Sequence, residues 1–127
     1  MKVAEMSLST VVRYEPDAGE VVWLRGEHDR STAAALSIVL ARAIAAGDTD
    51  VVVDLSRVEF MDASTARVIA QARERLRVQS RLLFLRSPSR PAWRVVALCG
   101  LADSVVARAL HPAVRGRSSW VREPGAA

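Results

Sequence analysis

Cysteine and histidine are scarce in this chain. Its 127 residues include one cysteine, Cys99, and two histidines, His28 and His111. A single cysteine excludes an intramolecular disulfide and a cysteine-based metal cluster, which makes the cytoplasm the simplest compartment. The two histidines are distant in sequence, so neither has a second histidine nearby to complete a metal pair. We therefore expect no metal and no cofactor.

The motifs of common enzyme classes are also missing. The sequence contains no GxSxG, GxGxxG, P-loop, HExxH or CxxC motif, and its few histidines leave little choice for a general base. Asp54 and Asp62 could approach each other across a strand end and form a pair of carboxylates. Helix capping is the simpler explanation for Asp62. We therefore expect a protein that is not an enzyme.

Aromatic residues and long hydrophobic runs are rare. Hydrophobic residues make up 50% of the chain but aromatic residues only 5%, which predicts an aliphatic core. The most apolar helical stretch, residues 32–46, is interrupted by Arg42. It is also shorter than the roughly 20 residues that span a bilayer. We expect no membrane insertion.

The formal net charge is +4 and the sequence pI is about 10.5. The basic residues are spread along the chain and interleaved with acids. The densest group, at one predicted helix end, is Arg73, Arg75, Arg77 and Arg81. Because no nucleic-acid-binding motif accompanies this charge, we expect no nucleic-acid partner.

The length fits one domain. We expect a single domain over residues 1–110 and a poorly structured tail over residues 111–127, where apolar periodicity is lost. The order of predicted elements is β-β-α-β-α-β-α-β. Two strands in a hairpin followed by alternating helices and strands indicate an α/β fold with a mixed sheet of about five strands and helices packed against it.

The individual elements follow from hydrophobic periodicity and turn residues. Helix starts are predicted at Asp29 or Ser31, at Asp62, and at Ser87-Pro88-Ser89 with proline in the first turn. Glycine ends the first and third helices at Gly47 and Gly100. The predicted strands cover residues 8–14, 20–27, 51–61, 81–86 and 101–110.

The central stretch is residues 51–76. Here a predicted strand is followed by a predicted helix that begins at residues 62–65, Asp-Ala-Ser-Thr. Their short oxygen-bearing side chains can bind the unpaired backbone donors of a helix start. The helix dipole favours a phosphate or carboxylate at the same place. This combination indicates a phosphorylation switch more than a catalytic cleft.

The segment VVVDLSRVEFMDAST, together with GEHDRSTA, SPS and CGLADSV, resembles the STAS domain of bacterial anti-sigma factor antagonists over roughly residues 8–110. The resemblance implies a sheet with helices on one side. It also implies binding to an anti-sigma factor that is a serine kinase with a histidine-kinase-like ATPase fold. In that family the kinase phosphorylates a serine directly after the motif aspartate, and the phosphate dissolves the complex.

The chain departs from this pattern at the acceptor position. By position Asp62 is the motif aspartate, and Ala63, which cannot accept a phosphate, occupies the acceptor slot. Ser64 or Thr65 could take over, since both lie in the first turn. The alternative for both hydroxyls is plain helix capping, worth around 1 kcal/mol.

Under this resemblance the chain is an anti-sigma factor antagonist that releases a sigma factor. A role as accessory subunit of a lipid-transporting ABC complex, which needs no serine phosphorylation, is the alternative. The expected partner contacts are Asp29, Arg30, Ser31, Asp62, Ala63, Ser64, Thr65 and Arg67.

Overall fold

The computed structural model describes residues 3–7, 10–15 and 18–106. Within these ranges the chain forms six strands, three α-helices and one 3-10 turn. None of the described helices is long and apolar enough to cross a membrane. In chain order the elements are β1 Val3–Ser7, β2 Thr10–Glu15, β3 Gly19–His28, α1 Arg30–Ala46, β4 Val51–Met61, α2 Ala63–Val78, β5 Leu83–Arg86, α3 Arg90–Leu98, the 3-10 turn Ala102–Ser104 and β6 Val105–Val106.

The strands form one mixed sheet in the order β1-β2-β3-β4-β5-β6. The β1–β2 and β2–β3 pairs are antiparallel, and the three remaining pairs are parallel. The predicted α/β class and element order are confirmed from β2 onwards. β1 is an additional strand that the sequence did not reveal, because the segment VAEMS contains only one β-branched residue.

The three helices pack on one face of the sheet. Alternate strand residues such as Val22, Val53 and Leu85 join buried residues of all three helices in the main core. Their neighbours Val21 and Val52 point to the other face, where a smaller buried cluster contains no residue of a described helix. This arrangement confirms the prediction of helices on one side, and it follows from the alternation of side chains along each strand.

One side of α1 is buried, as the hydrophobic periodicity of this helix indicates. The buried residues are Leu36, Val39, Leu40, Ala43 and Ile44. The three helix starts are close to those predicted, with one correction in α3.

In α3 the cap is Ser89, whose hydroxyl accepts a hydrogen bond from the backbone of Ala92. Pro88 therefore lies before the helix, and the proline of the first turn is Pro91. Gly100 adopts a φ of +77° just past the end of α3, as expected of a helix stop.

The last predicted strand begins later than expected. Instead of a strand over residues 101–110, a 3-10 turn precedes the two residues of β6. Residues 107–110 and the expected tail over residues 111–127 lie outside the described residues.

A buried arginine joins the end of α1 to the start of β5. Arg81 is only 7% exposed. Its guanidinium donates hydrogen bonds to the carbonyls of Ile44 and Thr49, at 3.0 and 2.7 Å. Because Ile44 lies in the last turn of α1, Arg81 satisfies a carbonyl that has no partner within the helix.

Candidate functional site

Two helix starts lie side by side at one edge of the sheet. His28 and Met61, the last residues of β3 and β4, are paired in the parallel register. Each is followed directly by an aspartate that caps a helix, Asp29 for α1 and Asp62 for α2. The fold therefore brings together the two groups of residues that the sequence singled out.

The start of α1 is a capping box. Oδ1 of Asp29 accepts hydrogen bonds from the backbone N–H and the hydroxyl of Ser31, at 2.8 and 2.5 Å. The backbone N–H of Asp29 in turn donates to Oγ1 of Thr32 at 3.0 Å. The net effect of these contacts, above all the Ser31 hydroxyl, is a lowered pKa for Asp29. Of the two predicted caps, the structure selects Asp29.

Asp62 caps α2 in the same manner. Its Oδ1 accepts from the backbone N–H groups of Ser64 and Thr65, at 3.1 and 3.2 Å, and from the Ser64 hydroxyl at 2.6 Å. The Ser64 hydroxyl is the main reason that the pKa of Asp62 is lowered from its ordinary value of 3.8. The hydroxyls of Ser64 and Thr65 thus donate to the capping carboxylate, and neither of them is itself the cap.

Exposure distinguishes the residues of the second helix start. Ala63 and Arg67 are exposed, and Ser64 is partly buried. Thr65 is 0% exposed. A macromolecular partner can therefore reach Ala63, Ser64 and Arg67, whereas the Thr65 side chain turns into the protein. At the first helix start Asp29 is partly buried, and Arg30 and Ser31 are exposed.

Phe60, which the sequence pattern did not single out, is 49% exposed on β4 next to this edge. It is paired with Glu27, which is also exposed. Simple alternation along β4 fails here because the strand contains extra residues relative to β3 on either side of Val58. Aromatic residues are enriched at protein interfaces.

Few side chains at this edge could take part in catalysis or bind a metal ion. The carboxylate of Asp54 is bound by Arg86 at 2.7 Å and by Ser56 at 2.6 Å, so it forms no pair with Asp62. His28 is buried, and its ring nitrogen Nε2 donates to the carbonyl of Arg25 at 3.1 Å. Among the described residues no three acidic, histidine or cysteine side chains gather to hold a metal ion.

These features define a class: a small α/β domain with a mixed sheet, helices on one face and two capped helix starts exposed at one edge. A family model described as "Mlab, STAS domain" matches residues 12–115. The chain belongs to the STAS domain family. No curated protein matches it.

Solved structures with the same fold include two anti-sigma factor antagonists, one of them SpoIIAA, and the Bacillus cell fate determinant SpoIIAA in its phosphorylated form. One, from Mycobacterium paratuberculosis, is 27% identical, with a TM-score of 0.67 over 82% of this chain and 87% of the other. Unphosphorylated SpoIIAA is 22% identical, with a TM-score of 0.66 over 76% and 85%. Phosphorylated SpoIIAA of Bacillus is 22% identical, with a TM-score of 0.62 over 76% and 88%.

Proposed function

We propose that this STAS domain is a non-enzymatic anti-sigma factor antagonist. It binds an anti-sigma factor in the cytoplasm and releases a sigma factor by competition. The observation that carries this proposal is the pair of capped helix starts, Asp29 and Asp62, which directly follow two adjacent strands. The similarity to solved antagonists supports it.

The proposed partner surface combines both helix starts. Its polar part consists of Asp29, Arg30 and Ser31 together with Asp62, Ala63, Ser64 and Arg67. Thr65 contributes by supporting the loop from inside, since its side chain is buried. Phe60 adds an apolar anchor beside these polar groups.

The partner proposed for this surface is a serine kinase with a histidine-kinase-like ATPase fold. Between the two hydroxyls of the first turn, burial favours Ser64 over Thr65 as the acceptor. A phosphate on Ser64 would bring about −1.5 to −2 charge to the carboxylate of Asp62. The hydroxyl of Ser64 could then no longer donate its 2.6 Å hydrogen bond to Asp62, and the two negative groups would repel each other. Phosphorylation would thereby disturb the cap and the partner surface together.

One observation favours the alternative role as accessory subunit of a lipid-transporting ABC complex. The exposed first residue of α2 is Ala63, and the hydroxyl that follows it is engaged with Asp62. A domain that binds an ATPase subunit without being phosphorylated needs no acceptor at this position.

The test is affinity capture of the tagged chain from its native cells, followed by mass spectrometry. Arg67→Glu reverses a charge on the proposed surface, and Arg94→Glu makes the same change on α3. Recovery of a kinase-like anti-sigma factor by the wild type and Arg94→Glu, but not by Arg67→Glu, is the expected result. Recovery of transporter subunits instead would reject the antagonist role in favour of the alternative.

A further inference from the structure

A cavity of about 360 Å³ lies at the opposite end of the sheet from the two helix starts. The residues that line it belong to the second half of α2, the start of β5 and the 3-10 turn. Leu83 in its wall is paired with Val51, the first residue of β4, whereas Asp62 follows the last residue of that strand. Because the length of β4 separates the two places, the cavity is not part of the proposed partner surface.

Two of the arginines that line the cavity are matched by acids that line it too. Nη1 of Arg73 donates to Oδ1 of Asp103 at 3.3 Å and to the hydroxyl of Ser104 at 3.0 Å. Arg77 donates to both carboxylate oxygens of Glu74, with its Nε 3.0 Å from Oε1. Neither of these two arginines therefore brings an uncompensated charge to the cavity.

Arg81 is the third arginine of the lining, and no acid matches it. The residue is only 7% exposed. Its Nε donates to the carbonyl of Thr49, and its Nη1 donates to the carbonyl of Ile44 and to Oε1 of Gln79, all of which are uncharged acceptors. Its Nη2 is buried without a hydrogen-bond acceptor. Within the part of the chain that the structure describes, no carboxylate forms an ion pair with Arg81.

The burial of a cation is unfavourable unless an opposite charge or a full set of hydrogen bonds compensates it. Arg81 has neither, because its acceptors are neutral and its Nη2 lacks one. Three arginines and two carboxylates leave one net positive charge on the described residues that line the cavity. A single carboxylate matches this charge, whereas a phosphate group exceeds it at neutral pH.

The size and the wall of the cavity indicate what else the ligand carries. The volume of the cavity lies at the lower end of the roughly 300 to 1,000 Å³ of small-molecule pockets. Leu82 and Leu83 add hydrocarbon to the same lining as the guanidinium groups. The cavity therefore suits a small molecule that has one negative charge and a short apolar part.

We propose that this cavity binds the carboxylate of a small organic acid, whose short hydrocarbon part packs against Leu82 and Leu83. Arg81, the most buried of the three arginines, supplies the uncompensated charge and the donor Nη2. Arg73 and Arg77 provide the more exposed guanidinium groups of the same lining. This site is separate from the helix starts and does not depend on the proposed function.

The test is an NMR titration of the isotope-labelled full chain at constant pH and ionic strength. The Nε–H of Arg81 is the reporter, because its hydrogen bond to the carbonyl of Thr49 slows exchange with water. The probes are butyrate and acetate, and the controls are inorganic phosphate and the neutral butyramide. The expected result is a saturable shift with butyrate, weaker binding of acetate and no shift with butyramide. The absence of a saturable shift with butyrate, equal binding of butyramide, or tighter binding of phosphate would overturn the proposal.

Variants decide whether the arginines of the cavity are responsible. Arg77→Gln leaves Glu74 unmatched and removes the net positive charge, so it should raise the dissociation constant of butyrate about fivefold or more. Arg75→Gln, at an exposed arginine of the same helix outside the lining, should leave it unchanged. Arg81→Met should abolish binding, followed through the backbone amide of Leu83. Unchanged amide spectra away from the cavity would establish that the variants are folded. Equal affinity of the wild type and Arg77→Gln would overturn the proposal even if Arg81→Met failed to fold.

Discussion

Oδ1 of Asp62 accepts a hydrogen bond from the hydroxyl of Ser64 at 2.6 Å. Of the two hydroxyls at the second helix start, that of Ser64 is partly accessible and that of Thr65 is buried, so the accessible one is already bound to the cap. The exposed position beside it belongs to Ala63, which has nothing to phosphorylate. A kinase that acts on Ser64 must therefore first break this hydrogen bond. The contact makes the first turn of α2 a poor substrate unless the partner rearranges it.

Ala63→Ser should convert this turn into an efficient acceptor. The new hydroxyl would lie at an exposed position directly after Asp62, where the family places its phosphorylated serine. With the proposed kinase and ATP, we expect the introduced hydroxyl to be phosphorylated at a rate at least tenfold above that of the wild-type chain, measured by intact-mass spectrometry. The phosphorylated variant should then lose affinity for the kinase.

Two controls accompany this experiment. Ala63→Ser combined with Ser64→Ala tests whether the new hydroxyl alone suffices, and Ser64→Ala by itself tests the native acceptor. Equal slow labelling of the wild type and Ala63→Ser would contradict the expectation that exposure at this position controls phosphorylation.

Phe60→Ala should weaken partner binding with little effect on folding. The ring is 49% exposed, so its removal leaves no large cavity. Truncating an aromatic anchor at an interface commonly costs about 2 kcal/mol or more, which corresponds to about a 30-fold loss of affinity. Calorimetric titration with the proposed partner measures this loss. Leu98→Ala, at an exposed hydrophobic residue on α3, is the matched control. An unchanged dissociation constant would place Phe60 outside the interface.

The stability of the protein should fall in acid, partly because of Asp62. Its folded pKa lies below the ordinary value, so near pH 4 the native protein binds fewer protons than the unfolded chain. The contribution is complete above the unfolded pKa, near the ordinary value of 3.8, and is lost as the pH falls through the folded pKa.

Urea unfolding between pH 6 and pH 2.5 measures this dependence. Asp62→Asn keeps a capping oxygen but cannot titrate, so its stability should change less over the same range than that of the wild type. Identical pH profiles of Asp62→Asn and the wild type would show that Asp62 does not contribute.

Arg81→Met should destabilise the fold without affecting partner binding. The change removes the donors for the carbonyls of Ile44 and Thr49 while keeping a side chain of similar length. Leaving a buried acceptor unsatisfied costs about 1 to 3 kcal/mol, so we expect a loss of about 2 kcal/mol or more in the free energy of unfolding. Arg77→Met, at an exposed arginine of α2, should cost much less. Equal losses in the two variants would refute the role assigned to Arg81.

The sequence reveals most of the fold because its signals are local. The periodicity of α1 and the capping residues around Asp62 are read from neighbouring positions, and these elements appear as predicted. β1 was missed because its residues have little strand preference. It is a strand because it pairs with β2, and this contact cannot be read from its own residues. β6 begins later than predicted because a β-prone run does not show where a 3-10 turn intervenes.

The candidate site was only partly predictable for a different reason. The sequence identifies Asp29 and Asp62 as helix starts, but only the register of β3 and β4 makes them neighbours. The burial of Thr65 and the exposure of Phe60 both depend on bulges and packing between distant segments. Such features leave no mark in the spacing of one stretch of chain.

Within the described sheet every strand lies next to the strand that precedes it in the chain. No strand has to be inserted between two that are already paired. During synthesis the sheet can therefore grow in one direction from its amino-terminal hairpin, with each helix and strand added as it leaves the ribosome. β6 is the last strand of the described sheet to be synthesised. The part of the core beside β5 therefore stays exposed longest during synthesis.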